Sequence, residues 1–444
     1  MFEKIKKVHI LAVGGIGMSA ICLLLLKKGI KVSGSDKFKS SLILELIEKG
    51  LEFLKETDSL DNEVELVVFS SAISNDHPQR IQALNTNILT IHRSKALTEL
   101  MKCKKTLLVA GTHGKTTTSS LLVHCLKHLN QKPSYAIGGL FSSGGQHADF
   151  DEGEYFIAEA DESDGSFLSY DPTGIIVTNI DQDHMDYWEN MERLKRGFYQ
   201  FMSLCSDRKL CIFYKDDPVL GKLNFPGTTY GQSLNSDFKL LYDKSSSVGR
   251  DFLFLSEKGN LVKGSLLLNG QHNVLNALSV FSLLSCLGFE EKGIIEALGA
   301  FKGVDRRCQI KGTVGDTLWI DDYGHHPSEI KTTLQGIKDR YPGKSLTVIF
   351  QPHRFSRTKD LWDAFHHSFF HEDELIITDI YGAHEVNHHN IHSSDLAVKL
   401  SSKLLKPVSY SPRNALKELI ITTDIAVTFG AGDITDLFNE VKKG

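Results

Sequence analysis

Lys115 and Thr116 close a glycine turn, Gly111-Thr112-His113-Gly114-Lys115-Thr116-Thr117, that follows an apolar run at 106–110 and opens an apolar helical stretch. A strand, a glycine turn and a helix start in that order make a phosphate cradle. Backbone N–H groups surround phosphate oxygens, the lysine reaches the terminal phosphates, and the next hydroxyl binds Mg²⁺. The usual pattern has a glycine six positions before the lysine; Val109 stands there, so this is a shortened variant identified by its context.

Two acidic clusters also follow apolar runs: Glu159-Ala-Asp161-Glu162-Ser-Asp164 after 155–158, and Asn179-Ile-Asp181-Gln-Asp183-His184 after 175–178. Strand ends of this kind face one ligand edge. Mg²⁺ takes few protein oxygens beside substrate phosphates, so a carboxylate next to Thr116 is expected. Most of these carboxylates suit helix capping, and position singles out Glu159 and His184. Near the start, Ala12-Val-Gly14-Gly15-Ile-Gly17 is an imperfect dinucleotide fingerprint, with Asp36 where a ribose-binding acid falls. Such a turn recognises phosphates and hence any nucleotide diphosphate. Further on, Asp321-Asp322-Tyr323-Gly-His325-His-Pro327 and Gln351-Pro-His-Arg354-Phe-Ser-Arg357 each follow a strand-like run. Arg354 and Arg357 suit bidentate capture of a carboxylate or phosphate, and His325 and Tyr323 suit orientation of an amine or an anionic oxygen.

The elements that must carry these residues alternate short β-branched runs with amphipathic stretches, the signature of parallel sheets built from strand–helix–strand units. The fold class is therefore α/β in three domains: a Rossmann-like one at 1–103, a central phosphate-loop domain with a parallel sheet at 104–308, and a Rossmann-like α/β domain at 309–444. Strands are expected at 8–13, 30–33, 64–70 and 88–90 in the first, at 106–110 in the second, and at 317–320, 346–350, 375–380 and 425–429 in the third. The 444 residues are enough for about three domains. With 41% hydrophobic and 24% charged residues, the chain is neither disordered nor fibrous. Its net charge of −5 argues against nucleic acid as a partner. Seven cysteines without a Cys-x-x-Cys pair suggest a reducing cytoplasm rather than a disulfide framework. Residues 8–26 carry no charge, but Gly14, Gly15 and Gly17 divide them into strand and helix, unlike a signal peptide. Residues 264–289 read as a buried helix with a polar entrance, too polar to insert in a membrane. The histidines at 384–392 read as a polar loop rather than a zinc site.

Taken in order, Gly14-Gly-Ile-Gly-Met-Ser19, Ser70-Ser71-Ala-Ile73, Gly111 to Thr117, Glu159-Ala-Asp-Glu-Ser-Asp-Gly-Ser-Phe-Leu168, His272-Asn273-Val-Leu-Asn276, Asp321 to Pro327 and Gln351 to Arg354 resemble the motifs of the Mur ligases of peptidoglycan synthesis over nearly the whole chain. The resemblance implies that ATP phosphorylates the lactyl carboxylate of UDP-N-acetylmuramic acid and that the L-alanine amine attacks the acyl phosphate, releasing ADP and phosphate. It further implies that Thr116, Glu159 and His184 hold Mg²⁺, for which Mn²⁺ can substitute. Asn273, Asn276 and Arg307 would approach ATP, with Asp322 near its ribose. Tyr323, His325, Arg354 and Arg357 would position alanine and the muramyl carboxylate. Gly14, Gly15, Gly17, Asp36, Ser70 and Ser71 would take the sugar nucleotide. A bacterial cytoplasmic enzyme, monomer or homodimer, is expected.

Three alternatives compete. A recycling ligase would attach a preformed tripeptide to the same sugar nucleotide, but its central motif departs from the Glu162-to-Leu168 run kept here. A nicotinamide dehydrogenase leaves Lys115 and the third domain without a role. A non-catalytic nucleotide sensor has no need of the His325 and Arg354 loops. Ala12 replaces a family glycine, and the loop after His384 departs from the family's glycine- and proline-containing turn. Some sister ligases carry a carbamylated lysine, and none is expected here because no lysine occurs between Glu159 and Arg193.

Overall fold

The computed structural model describes residues 1–444 except Ser247, His384, Leu405 and Gly444. Two compact units divide the chain. One comprises Met1–Tyr242, Phe252–Gly264 and Leu275–Phe301; the other comprises Asp243–Asp251, Ser265–Val274 and Lys302–Gly444.

The first unit opens with a five-stranded parallel sheet in the spatial order Glu52–Lys55, Lys31–Asp36, Lys7–Leu11, Leu66–Phe69, Leu89–His92. Chain order reverses between Lys7–Leu11 and Leu66–Phe69, so the turns after these strands, holding Gly14 and Ser70, flank the crevice where such sheets bind ligands. The helix Ile16–Lys27 buries every residue from Met18 to Leu25, all of them apolar except Ser19. It ends in a glycine cap: Gly29 has φ +78°, its N–H bonds the Leu26 carbonyl, and the Ile30 N–H bonds that of Leu25. Those bonds satisfy carbonyls the helix would otherwise leave open. Among the described residues no helix is long and apolar enough to cross a membrane.

A second sheet of ten strands is centred on Lys105–Ala110, with Tyr155–Glu159 on one side and Gly174–Val177 on the other, all parallel. Cys211–Tyr214 and Thr228–Gly231 continue it in parallel. At the opposite edge Ser134–Ala136 pairs antiparallel with Ala148–Asp149, so the sheet is mixed rather than wholly parallel. The phosphate-loop strand thus lies between the strands that precede the two acidic clusters, and all three turns emerge at one edge. The 264–289 stretch resolves into a strand ending at Leu266 and the helix Gln271–Cys286.

In the second unit six strands run in the order Gln309–Val314, Thr317–Asp322, Ile425–Phe429, Leu346–Phe350, Glu374–Ile377, Val408–Tyr410. All neighbours are parallel except the first pair. Alternation along Leu346–Phe350 puts Val348 and Phe350 into one core with Ile330, Leu334 and Leu396, and Ile349 into another with Trp319, Leu437 and Phe438. Burial of each such side chain stabilises the fold by roughly 1.5–3 kcal/mol, which fixes which face of the sheet each helix covers.

Candidate functional site

The phosphate loop is built by backbone constraints. Gly111 has φ +130°, and a Cβ there would fall 2.1 Å from Thr178 Oγ1; Gly114, at φ +82°, caps the helix Lys115–His128. The strand end at 178–181 props the loop. Asn179 Oδ1 accepts from the His113 N–H at 2.8 Å, Asn179 Nδ2 donates to the His113 carbonyl at 3.0 Å, and the Asp181 N–H donates to Thr112 Oγ1 at 2.9 Å. His113 Nε2 lies 3.2 Å from Asp181 Oδ2. The shape of the loop is therefore held by the side chains of Asn179 and Thr112.

Lys115 Nζ donates to the Gly111 carbonyl at 2.6 Å and to both oxygens of Glu162 at 2.8 and 3.1 Å. Burial works against its charge, but Glu162, Asp161 and Glu159 outweigh burial and raise its pKa above the ordinary lysine value. Thr116 Oγ1 donates to Glu159 Oε2 at 3.2 Å, while Ser119 Oγ and the Gly138 N–H hold Glu159 Oε1 at 3.0 and 2.6 Å. A hydroxyl and a carboxylate oxygen side by side are the hard donors Mg²⁺ prefers. His184 adopts φ +57° at the cap of the short helix Met185–Trp188 and lies 3.6 Å from Asp183 Oδ2. Among the described residues, no group of three His, Cys, Asp or Glu ligand atoms gathers around Glu159 and His184. For Asp161, burial raises the pKa, but Lys115, Arg93, the Ser163 N–H and His184 together hold it well below the carboxylate range.

In the first sheet the Gly14 N–H donates to Asp36 Oδ2 at 2.9 Å, so Asp36 braces the glycine turn. A Cβ on Gly14 would meet that oxygen at 2.9 Å, and one on Gly17 would meet Arg93 Nη1 at 3.3 Å. Arg93 in turn pairs with Asp161 at 3.2 Å. Ser71 Oγ donates to Asp164 Oδ2 at 2.6 Å. Ser70 stands beside Ser71 at the same strand end. Sequence reading missed Arg93 and named Glu162 only as a member of an acidic cluster, without a role. Neither belongs to a glycine motif, and only the fold brings them to the loops they serve.

Asn276, on the helix Gln271–Cys286, lies against the loop: a Cβ on Gly114 would stand 3.1 Å from its Oδ1. Asn273, in the other unit, donates to the Asn269 carbonyl at 2.6 Å. In that unit Asp322 accepts from the N–H groups of Cys308 and Gly324, each at 2.7 Å, and burial pushes its carboxyl up to about 6 against the pull of Arg307. The guanidiniums of Arg306 and Arg307 lie 5.0 and 5.2 Å from the Tyr323 ring. His325 Nδ1 lies 3.2 Å from the Tyr323 carbonyl. Arg354 has φ +68° and donates through Nε to Glu385 at 2.5 Å, where Ser356 also donates. Arg357 Nη1 lies 3.1 Å from His353 Nδ1; burial, with His325 and the two arginines, lowers His353 to about 3. His384 lies outside the described residues; His388, His389 and His392 are exposed, in a turn closed by Asn387 and Ile391.

Fold and site together define a nucleotide-binding enzyme in which a phosphate loop faces a carboxylate. Matches to known families agree: residues 7–105 match the Mur ligase family catalytic domain, 109–284 the Mur ligase middle domain and 306–432 the Mur ligase glutamate ligase domain. A UDP-N-acetylmuramate–L-alanine ligase of Protochlamydia amoebophila is 39% identical over 97% of this chain and 96% of its own length. One from Geotalea uraniireducens is 38% identical over 98% and 97%. The crystal structure of the UDP-N-acetylmuramate–alanine ligase MurC of Thermotoga maritima superposes with a TM-score of 0.85 at 28% identity, covering 98% of both chains. The chain belongs to the Mur ligase family.

Proposed function

We propose that this chain joins L-alanine to the lactyl carboxylate of UDP-N-acetylmuramic acid with cleavage of ATP to ADP, a step of peptidoglycan precursor synthesis in the bacterial cytoplasm. What carries the reading is the pairing of Thr116 with Glu159 beside Lys115, in a chain similar over almost its full length to ligases of that name.

Residues 104–308 form the ATP domain. Lys115 leaves Glu162 for the terminal phosphates, the loop N–H groups orient them, and Asn273, Asn276, Arg307 and Asp322 hold the rest of the nucleotide. Thr116, Glu159 and His184 would hold Mg²⁺ or Mn²⁺, which supplies neutralisation of charge on the transferring phosphoryl group. Residues 1–103 take the UDP diphosphate on the turn of Gly14, Gly15 and Gly17, with Asp36, Ser70 and Ser71 around it. Residues 309–444 present Tyr323, His325, Arg354 and Arg357 to alanine and to the carboxylate, so that the amine meets the acyl phosphate in a fixed geometry. The protein acts as a monomer or homodimer, with neither nucleic acid nor membrane insertion in its function.

The deciding experiment mixes the protein with ATP, Mg²⁺ and UDP-N-acetylmuramic acid, adds single amino acids or the tripeptide, and records ADP and product mass. The alanyl product is expected. Product with the tripeptide alone would mark a recycling ligase, and ATP binding without substrate-dependent ADP release would mark a sensor.

A further inference from the structure

His147 lies on a loop that no nucleotide-binding motif of the sequence includes. It is 1% exposed, and its Nε2 lies 2.9 Å from Ser19 Oγ in the helix that opens from the glycine turn. Ser19 Oγ in turn donates to the Ile16 carbonyl at 2.9 Å. The first turn of the helix Ile16–Lys27 is thereby fastened to the central domain by one buried imidazole. Next to it, Asp149 forms an ion pair with Lys27 at 3.3 Å, a second tie farther along the same helix.

From His147 a continuous path runs to the phosphate loop. The His147 carbonyl accepts from the Ile137 N–H at 2.8 Å, which closes the loop 138–146. The neighbouring Gly138 N–H donates to Glu159 Oε1 at 2.6 Å, and Glu159 Oε2 accepts from Thr116 Oγ1 at 3.2 Å. Space is tight at that point: a Cβ on Gly138 would stand 2.9 Å from Glu159 Oε2 and 3.0 Å from Thr116 Oγ1. A shift of residues 137–138 must therefore move the Glu159 carboxylate or strain its hydrogen bond.

We propose that His147 is a positioning residue that couples the glycine turn of the first domain to the Glu159–Thr116 pair, so that the sugar nucleotide and ATP bind cooperatively. The inference rests on the nucleotide assignments made above. Ordering of the turn by a diphosphate fixes Ile16 and, through it, Ser19; Ser19 holds His147, and the His147 backbone holds Gly138 against Glu159. Each site then finds part of its ordering already done by the ligand of the other, which is positive coupling.

The test measures affinity for a non-hydrolysable ATP analogue with Mg²⁺ by calorimetry, with and without saturating UDP-N-acetylmuramic acid. In the wild type the sugar nucleotide should tighten the analogue by at least about fivefold, the lower end of ordinary allosteric coupling. His147→Ala should reduce that factor to below about twofold while leaving analogue affinity measured alone within about twofold. Ser19→Ala, which removes only a hydroxyl and breaks the same contact from the other side, should do likewise. His147→Gln, which places an amide near Nε2, should recover most of the coupling. Undiminished coupling in both alanine variants overturns the proposal, as does a wild type that binds both nucleotides independently. A lowered melting temperature with unchanged coupling would reduce His147 to a packing residue. A wild type that binds no UDP-sugar would instead remove the substrate assignment itself, a separate result.

Discussion

Lys115 Nζ is 2.8 Å from Glu162 Oε2, a carboxylate whose side chain is 1% exposed. The loop therefore keeps its lysine charged and placed by an internal counter-ion. The Glu162 backbone is itself anchored, because Trp188 Nε1 donates to its carbonyl at 2.9 Å. On the proposed reading, a phosphate oxygen entering the loop would compete with Glu162 for the same ammonium, so Lys115 would exchange one anion for another without being buried unpaired.

Lys115→Ala should abolish amide formation and leave UDP-sugar binding intact, since the proposed function places the sugar nucleotide on the first sheet. It should also destabilise the protein by about 3–5 kcal/mol, the range for a buried charge stripped of its partner. Adding Glu162→Gln should restore most of the melting temperature and none of the turnover. Turnover in Lys115→Ala would remove the phosphate-loop assignment.

Ala12 adopts φ +51° at the position where the dinucleotide fingerprint has its first glycine. A left-handed conformation costs a non-glycine residue about 1–2 kcal/mol, while glycine loses about 0.5–1 kcal/mol more through its freer unfolded chain. Ala12→Gly should thus stabilise the protein by roughly 0.5–1 kcal/mol, a rise of about 2 °C in Tm, with UDP-sugar affinity retained. A fall in Tm would mean that the Ala12 backbone is relaxed as it stands.

Asp322 is buried, and its folded pKa of about 6 exceeds the ordinary value of 3.8. Between those values the folded state binds a proton that the unfolded state has lost, so this group's contribution to stability falls as pH rises from about 4 to about 6. At 1.36 kcal/mol per pH unit the loss is about 2–3 kcal/mol. Unfolding free energies of wild type and Asp322→Asn, compared from pH 4 to 7, should converge in slope above pH 6 and diverge below it, the variant lacking the decline. Parallel profiles across the whole range would show that Asp322 titrates normally.

The strands that position the site were legible because they are buried on both faces: the expected runs at 8–13, 106–110, 346–350 and 425–429 overlap the observed Lys7–Leu11, Lys105–Ala110, Leu346–Phe350 and Ile425–Phe429. Two edge strands were not, although another, Leu89–His92, falls on the expected run at 88–90. Glu52–Lys55 has exposed charged ends, and Val408–Tyr410 is half exposed, so neither carries an apolar run. Glycine turns were legible for a related reason, since Gly111 and Gly114 occupy backbone conformations and spaces that exclude a side chain. The partners of the turns were hidden. Arg93 meets Asp161 across 68 residues, and Glu385 meets Arg354 across 31; no local pattern encodes a pairing made by the fold.

Arg354 carries the last expectation. Its backbone lies at φ +68°, its N–H donates to the Tyr381 carbonyl at 2.8 Å, and its Nε donates to Glu385. The side chain is thus aimed by Glu385 through Nε, and the planar fork retains further N–H donors for a carboxylate. Lysine keeps the charge and can still pair with Glu385, but it has no second set of donors in that plane. Loss of one charge-assisted hydrogen bond costs about 1.5–3 kcal/mol, so Arg354→Lys should lower kcat/KM for UDP-N-acetylmuramic acid by roughly tenfold to a hundredfold. ATP-analogue affinity should hardly change, because Lys115 and Thr116 are untouched. Glu385→Gln, which leaves the fork intact but weakens its aim, should give a smaller loss in the same parameter. An unchanged kcat/KM in Arg354→Lys, or an equal loss of ATP affinity measured by calorimetry, would show that the muramyl carboxylate is held elsewhere.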